Sequence, residues 1–122
     1  METQTMAKIM LIEDDLTMRT LLKALLEFEG HKAIIYGEVE EDKIINVLRQ
    51  EKPEVLLLDV HLNKANGLNI LKAIRLEDDL KDMRVIMSSG MDLRDQCMKF
   101  GASGFLLKPY MPDELLNMIG TK

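Results

Sequence analysis

The chain has 122 residues, 47% hydrophobic and 30% charged, with a formal net charge of -5. That is enough for one packed core, too little for two ordinary domains, and not the composition of a disordered segment. The acidic balance lacks the basic footprint of a stand-alone nucleic-acid binder, and no apolar run approaches the roughly 20 residues of a membrane-spanning helix.

A single cysteine, Cys97, leaves no internal disulfide and fits a reducing, cytoplasmic setting. Met1 to Thr5 is polar and does not read as a signal peptide. Ten methionines are many for this length. Met fills cores, but on an exposed face it makes an adaptable binding surface.

Lys8 to Ile12 reads as a buried strand that runs into Glu13-Asp14-Asp15. Met18, Leu21, Leu22, Leu25 and Leu26 then keep the spacing of an amphipathic helix, with Asp14 or Asp15 able to cap its start and Gly30 suited to its stop. Lys32 to Tyr36 is a second strand, and Glu38 to Gln50 a second helix with Ile44, Ile45 and Leu48 inward. Val55 to Leu58 is an apolar run ending in Asp59, the pattern of a strand buried on both faces of a parallel sheet. Asn66-Gly67 is turn chemistry, and Leu68 to Leu76 puts Ile70, Leu71 and Ile74 on one helical face. Glu77-Asp78-Asp79 reads as a solvated loop.

Arg84 to Met87 is a fourth strand, ending in Ser88-Ser89-Gly90. Leu93, Cys97 and Phe100 share a face of the next helix, which Gly101 stops. Phe105 to Leu107 is a fifth strand ending in Lys108-Pro109, and Pro112 opens a short last helix. Five strand–helix repeats with short loops predict one α/β domain over residues 1–122, a doubly wound five-stranded parallel sheet.

Each notable polar residue falls at a strand's carboxyl end: Glu13 and Asp14, Asp59, Ser89 and Lys108. In a parallel sheet these ends share one edge, where ligands of open α/β folds bind. Each alone has a plain reading as a helix cap, a turn or a surface charge. Together they converge. Crowded carboxylates raise one another's pKa, and a divalent cation relieves this. An all-oxygen site with few protein ligands suits Mg²⁺. A lysine and a hydroxyl beside it suit a phosphoryl group, and an aspartate can be the nucleophile that receives one.

Leu11 to Asp15, Leu57-Leu58-Asp59, Met87 to Gly90 and Gly101 to Pro109 together resemble the receiver domain of two-component response regulators, chemotaxis regulators among them, over about Lys8 to Ile119. The resemblance implies the flavodoxin-like strand order 2-1-3-4-5. It also implies Asp59 as phosphoacceptor, Asp14 as a direct Mg²⁺ ligand, Glu13 as one acting through water, and the backbone carbonyl of His61 as a further ligand. Ser89 matches the hydroxyl residue that moves to the phosphoryl group, and Phe105 the aromatic that turns inward with it. Lys108 matches the motif lysine, with a cis bond to Pro109. The chain would not be an enzyme in the formal sense; Mg²⁺-dependent self-phosphorylation and slow self-dephosphorylation are implied.

The implied partners are a sensor histidine kinase or phosphotransfer protein, and a downstream effector. The effector would meet the face of the fourth helix, fifth strand and fifth helix, taken to include Met98, Phe105, Tyr110 and Met111. A phosphorylation-dependent homodimer is a further expectation; direct contact with nucleic acid or membrane is not expected. With no effector domain after Lys122, the chain reads as either a stand-alone receiver or the excised first domain of a longer regulator.

Three departures from the family pattern stand out. Leu62-Asn63 replaces the frequent Met-Pro, so the loop after Asp59 lacks proline's rigidity. Phe105 replaces Tyr and carries no hydroxyl. Met91 and His61 occupy positions that tune the lifetime of the phosphorylated form, and a bulky Met91 is expected to restrict the attacking water. Other readings fit less well. A flavodoxin's first loop must cradle a phosphate, which Glu13-Asp14-Asp15 would repel. An aspartate-nucleophile phosphatase places a second Asp where His61 stands. A receiver fold that docks a partner without being phosphorylated would have little use for the full set of site residues.

Overall fold

The computed structural model describes residues 7–120. The expectations for Met1 to Thr5 lie outside these residues. Five strands alternate with five helices: β1 (Lys8–Ile12), α1 (Leu16–Phe28), β2 (Lys32–Tyr36), α2 (Ile44–Glu51), β3 (Val55–Asp59), α3 (Gly67–Leu76), β4 (Arg84–Ser89), α4 (Arg94–Lys99), β5 (Gly104–Leu107) and α5 (Pro112–Gly120). The strands form one parallel sheet in the order β2-β1-β3-β4-β5.

β3 lies at the centre and is buried along its whole length. Its alternation divides the core. Leu56 and Leu58 point to one side, with Met10, Ile12, Val85, Met87 and Phe105; there Ile44 and Leu48 of α2, Ile70, Leu71 and Ile74 of α3, and Cys97 of α4 close over them. Val55 and Leu57 point to the other, where Leu22 and Leu26 of α1 and Leu115 and Ile119 of α5 pack. Each such side chain taken wholly from water contributes about 1.5–3 kcal/mol.

Several expected boundaries move. The second helix begins at Ile44, not Glu38: residues 38–40 are extended, and Glu41–Lys43 form a single 3-10 turn. The only buried residues between Glu38 and Lys43 is Val39, so a full helix there would have had no apolar stripe to bury. Leu21 is 54% exposed, because α1 buries only the narrower stripe of Leu22 and Leu26. β4 runs on to Ser89, so Ser88 and Ser89 are strand residues rather than a turn. The acidic loop after α3 is tied back by Arg49, which pairs with both Glu77 and Asp79.

Candidate functional site

The carboxyl edge of the sheet gathers Glu13 and Asp14 after β1, Asp59 at the end of β3, Ser89 at the end of β4 and Lys108 after β5. In the first of these turns the choice between two capping acids is resolved. Asp15 caps α1, accepting the Met18 N–H at 3.0 Å. Asp14 is thereby released toward the edge, and Glu13 folds back to accept the Asp15 N–H at 3.2 Å.

Lys108 sits between two acids from different strands. Its Nζ donates to Glu13 Oε1 at 2.8 Å and to Asp59 Oδ2 at 2.9 Å. Glu13 and Asp59 are both buried, at 6% and 9% exposed. A buried carboxylate is costly unless it is paired, and this ammonium is the partner both share. Burial draws the Lys108 ammonium toward deprotonation, but its bonds to Glu13 and Asp59 outweigh that and hold it above its usual range. The peptide bond from Lys108 to Pro109 is cis.

Ser89 is fully buried, and its Oγ accepts the N–H of Met91 at 3.0 Å, a bond within the turn that follows β4. Phe105 is buried on the α2–α4 side of the sheet, with the Arg94 guanidinium carbon 5.5 Å from its ring centre. Its place in β5 gives it an inward direction, so it does not belong to the exposed face expected for it. Tyr110 departs from that face too. It packs against the α1–α5 side of the core, its hydroxyl buried and without a hydrogen-bond partner. Burial pushes that phenol up to about 12, with Lys108 pulling it down and Glu13 and Asp59 adding to the rise. The exposed apolar groups of this face are Met98, Leu107 and Met111.

A metal ion is implied by the resemblance, and the donors at hand bear on it. Among the described residues no three His, Cys, Asp or Glu side chains are gathered closely enough to hold an ion alone. Glu13 is drawn to Lys108 instead. What remains is Asp14, Asp59 and backbone oxygen, a small all-oxygen set that suits Mg²⁺ with water completing its shell. Two details fit. Asp14 Oδ1 is buried with no hydrogen-bond partner, a state that a cation would satisfy. His61 faces Asn66 in an isolated antiparallel bridge. The bonds of that bridge are Leu62 N–H to Ala65 O, at 3.2 Å, and Gly67 N–H to Val60 O, at 2.7 Å. This is the pairing in which the two facing residues do not bond each other, so it does not use the His61 carbonyl.

Three residues that the sequence reading gave no role in the site shape this edge. Gly67 opens α3 directly against the end of β3. A Cβ there would lie 2.9 Å from Val60 Cα and 3.0 Å from the Asp59 carbonyl carbon, and closer still to the carbonyl oxygen. Only glycine fits; a Gly immediately after a capping Asn was the available signal. Asn63 donates its backbone N–H to Asp14 Oδ2 at 2.7 Å. Glu41 accepts the Asn66 N–H at 2.7 Å, and Asn66 in turn caps α3 through Leu68 and Asn69. The last two are long-range contacts that no local pattern announces.

The comparisons with known proteins bear on the family and the fold. CpxR of Escherichia coli, a transcriptional regulatory protein, is 35% identical over 115 residues; the match covers 93% of this chain and 48% of that protein. A chemotaxis protein CheY homolog of Campylobacter jejuni is 27% identical, with 93% of each chain covered. The chain thus spans about half the length of CpxR, and 44% of a probable transcriptional regulator of Guillardia theta. Among solved structures, the BeF3-activated N-terminal receiver domain of Klebsiella pneumoniae RstA superposes with a TM-score of 0.81 at 26% identity, covering 93% of this chain and 95% of that one. CheY4 of Vibrio cholerae does so with a TM-score of 0.83 at 22% identity, covering 95% and 98%, which speaks for the fold. The sequence profile of the response regulator receiver domain matches residues 9–120. With that match across nearly the whole chain, and with the strand order and carboxyl-edge residues described above, this chain belongs to the response regulator receiver family.

Proposed function

We propose that residues 1–122 form one receiver domain that takes a phosphoryl group onto Asp59, in a Mg²⁺-dependent transfer from the phosphohistidine of a sensor kinase or phosphotransfer protein. The observation that carries this is Lys108, held between Glu13 and Asp59 at the carboxyl edge. A carboxylate oxygen of Asp59 would form the new O–P bond as the N–P bond of the donor breaks. Asp14, Asp59 and the His61 carbonyl would hold the ion, with Glu13 reaching it through water. When bound, the ion supplies positive charge to the phosphoryl oxygens. Lys108 would follow the developing charge from the carboxylate to the phosphoryl group, so catalysis is positioning and charge balance.

Ser89 would then leave its bond to Met91 to donate its hydroxyl to the phosphoryl group, and the packing of Phe105, buried beneath the α4–β5–α5 face, would adjust with it. That change in a two-state element is the output, read by an effector protein or domain or by a second copy of the chain. The setting is cytoplasmic.

The test is a mass measurement. The protein and its Asp59→Ala variant are incubated with Mg²⁺ and a small acyl-phosphate donor, and intact masses are compared. A phosphoryl adduct on the parent alone supports the reading. An adduct on both would move the acceptor elsewhere. No adduct on the parent, with a competent kinase failing too, would leave a receiver fold that works by docking alone.

A further inference from the structure

We propose that Glu41 is a positioning residue for the loop that follows Asp59: its carboxylate clamps the turn that presents the His61 carbonyl to the metal ion. The proposal rests on the Mg²⁺-dependent acceptor reading above.

The loop from Val60 to Asn66 lacks a proline, and its internal bonds are few: Leu62 N–H to Ala65 O, and Gly67 N–H to Val60 O. Beyond the Val60 N–H, which donates to Ser88 O at 2.9 Å where the loop leaves the sheet, three side-chain contacts reach it from elsewhere in the chain. Asp14 Oδ2 accepts the Asn63 N–H at 2.7 Å. Glu41 Oε2 accepts the Asn66 N–H at 2.7 Å, while Glu41 Oε1 lies 3.4 Å from Asn69 Nδ2. Glu38 and Lys64 form an ion pair at 3.2 Å with both ends well exposed.

These contacts differ in what happens when an ion binds. Asp14 is itself a candidate ligand through Oδ1, so its grip on Asn63 through Oδ2 is not independent of the ion. The Glu38–Lys64 pair is solvated and screened, and such pairs contribute little. Glu41 is not a candidate ligand, and its shorter bond is to a backbone N–H at the cap of α3, with the Asn69 amide as a second, longer partner. It is also well mounted. Val39 and Ile44, on either side of its 3-10 turn, are 8% and 0% exposed and belong to the core. The segment between β2 and α2 therefore holds the loop from outside the metal site, in place of a proline within it.

Two substitutions separate position from charge. Glu41→Gln keeps the arm length and an acceptor oxygen but removes the charge. Glu41→Asp keeps the charge but shortens the arm by one methylene. Mg²⁺ affinity is read by calorimetry with no phosphodonor present. The amide signals of His61, Asn66 and Gly67 are followed by NMR, and thermal unfolding confirms that each variant folds. Loss of a group orienting a metal ligand typically costs 10–100-fold in affinity, and Glu41 acts one bond further out, so about 5-fold is expected for Glu41→Asp. Glu41→Gln should stay within about 2-fold of the parent. The reverse ranking, with Gln weak and Asp near the parent, would mean Glu41 acts through its charge and would overturn the proposal, as would two variants both equal to the parent. A parent that takes up neither Mg²⁺ nor a phosphoryl group would instead sink the acceptor reading on which the proposal stands.

Discussion

Gly67 is in contact with the backbone of Asp59: the first residue of α3 backs onto the last residue of β3, with room for a hydrogen and not for a methyl group. The neighbours it would strike are backbone atoms, which cannot rotate aside. Gly67→Ala is expected to lower stability by about 1–3 kcal/mol, the usual cost of forcing atoms into a packed site. It should also slow phosphorylation of Asp59, because the strain falls on the peptide that carries the proposed acceptor. Urea unfolding and the adduct rate measure the two effects separately. A variant with parental stability and rate would show that the helix can slide away freely.

Asp14 is a partly buried acid, its Oδ1 covered, that contributes charge to an edge already crowded with carboxylates. Asp14→Asn keeps an oxygen for the Asn63 N–H and removes the charge. Without divalent ions it is expected to raise the thermal midpoint, as relief of like-charge crowding stabilises by roughly 1 kcal/mol. Added Mg²⁺ should raise the midpoint of the parent by linkage and leave the variant nearly unmoved. Equal Mg²⁺ responses in the two proteins would remove Asp14 from the metal site.

At high pH, Lys108 and Tyr110 act in the same direction. Both have folded-state pKa values above their ordinary ones, Lys108 through Glu13 and Asp59, and Tyr110 through burial to about 12. A raised folded value means that the folded state holds the proton more tightly. The associated stability is complete below pH 10 and is lost as pH climbs through the folded values. Phenolate absorbance from Tyr110 should therefore appear only near pH 12, or earlier if the chain unfolds first. Tyr110→Phe should flatten the fall in stability between pH 10 and pH 12. A parent curve that is already flat there would contradict the buried placement of the phenol.

Met98 and Met111 are 47% and 66% exposed on the proposed output face. Replacing both with Gln should leave unfolding within about 0.5 kcal/mol of the parent, since exposed positions carry little packing. Phosphorylation-dependent self-association or effector binding, followed by sedimentation, should weaken at least several-fold. Association that survives the double substitution would place the contact elsewhere.

Met91 is 60% exposed immediately beyond the Ser89 turn. Decay of the Asp59 acyl phosphate is expected to speed up in Met91→Glu and Met91→Lys, where a polar side chain no longer screens the attacking water. Decay at the parental rate in both variants would remove Met91 as a determinant of lifetime.

The sheet was legible because each strand is a short apolar run with a polar residue at its end, and Val55 to Asp59 is the clearest case. The residues of the edge could be read for the same reason: Glu13, Asp14, Asp59, Ser89 and Lys108 each fall where a strand gives out. What escaped depends on tertiary contact. Nothing near Glu41 in the sequence points to the Asn66 amide, 25 residues away. Glu38 to Lys43 is polar enough for a helix surface, and only the burial of Val39 and Ile44 reveals the bend that delays α2 to Ile44. The family resemblance puts Phe105 and Tyr110 together on one outer face. The pleat of β5 and the docking of Tyr110 beneath α1 put them on opposite sides of the sheet.

The burial of Cys97 gives the protein a built-in clock. The thiol is fully covered beneath α4, and burial holds it back from ionising. α4 has only six residues, its N-cap Leu93 supplies no side-chain bond, and its first turn is held by one long contact, Arg94 N–H to Asp92 Oδ1 at 3.3 Å. A thiol-specific reagent can reach the sulfur only when this helix lifts from the sheet, so the labelling rate of the sole cysteine counts those openings directly. Measured with and without a phosphoryl group on Asp59, it would report how firmly the output helix is seated in each state.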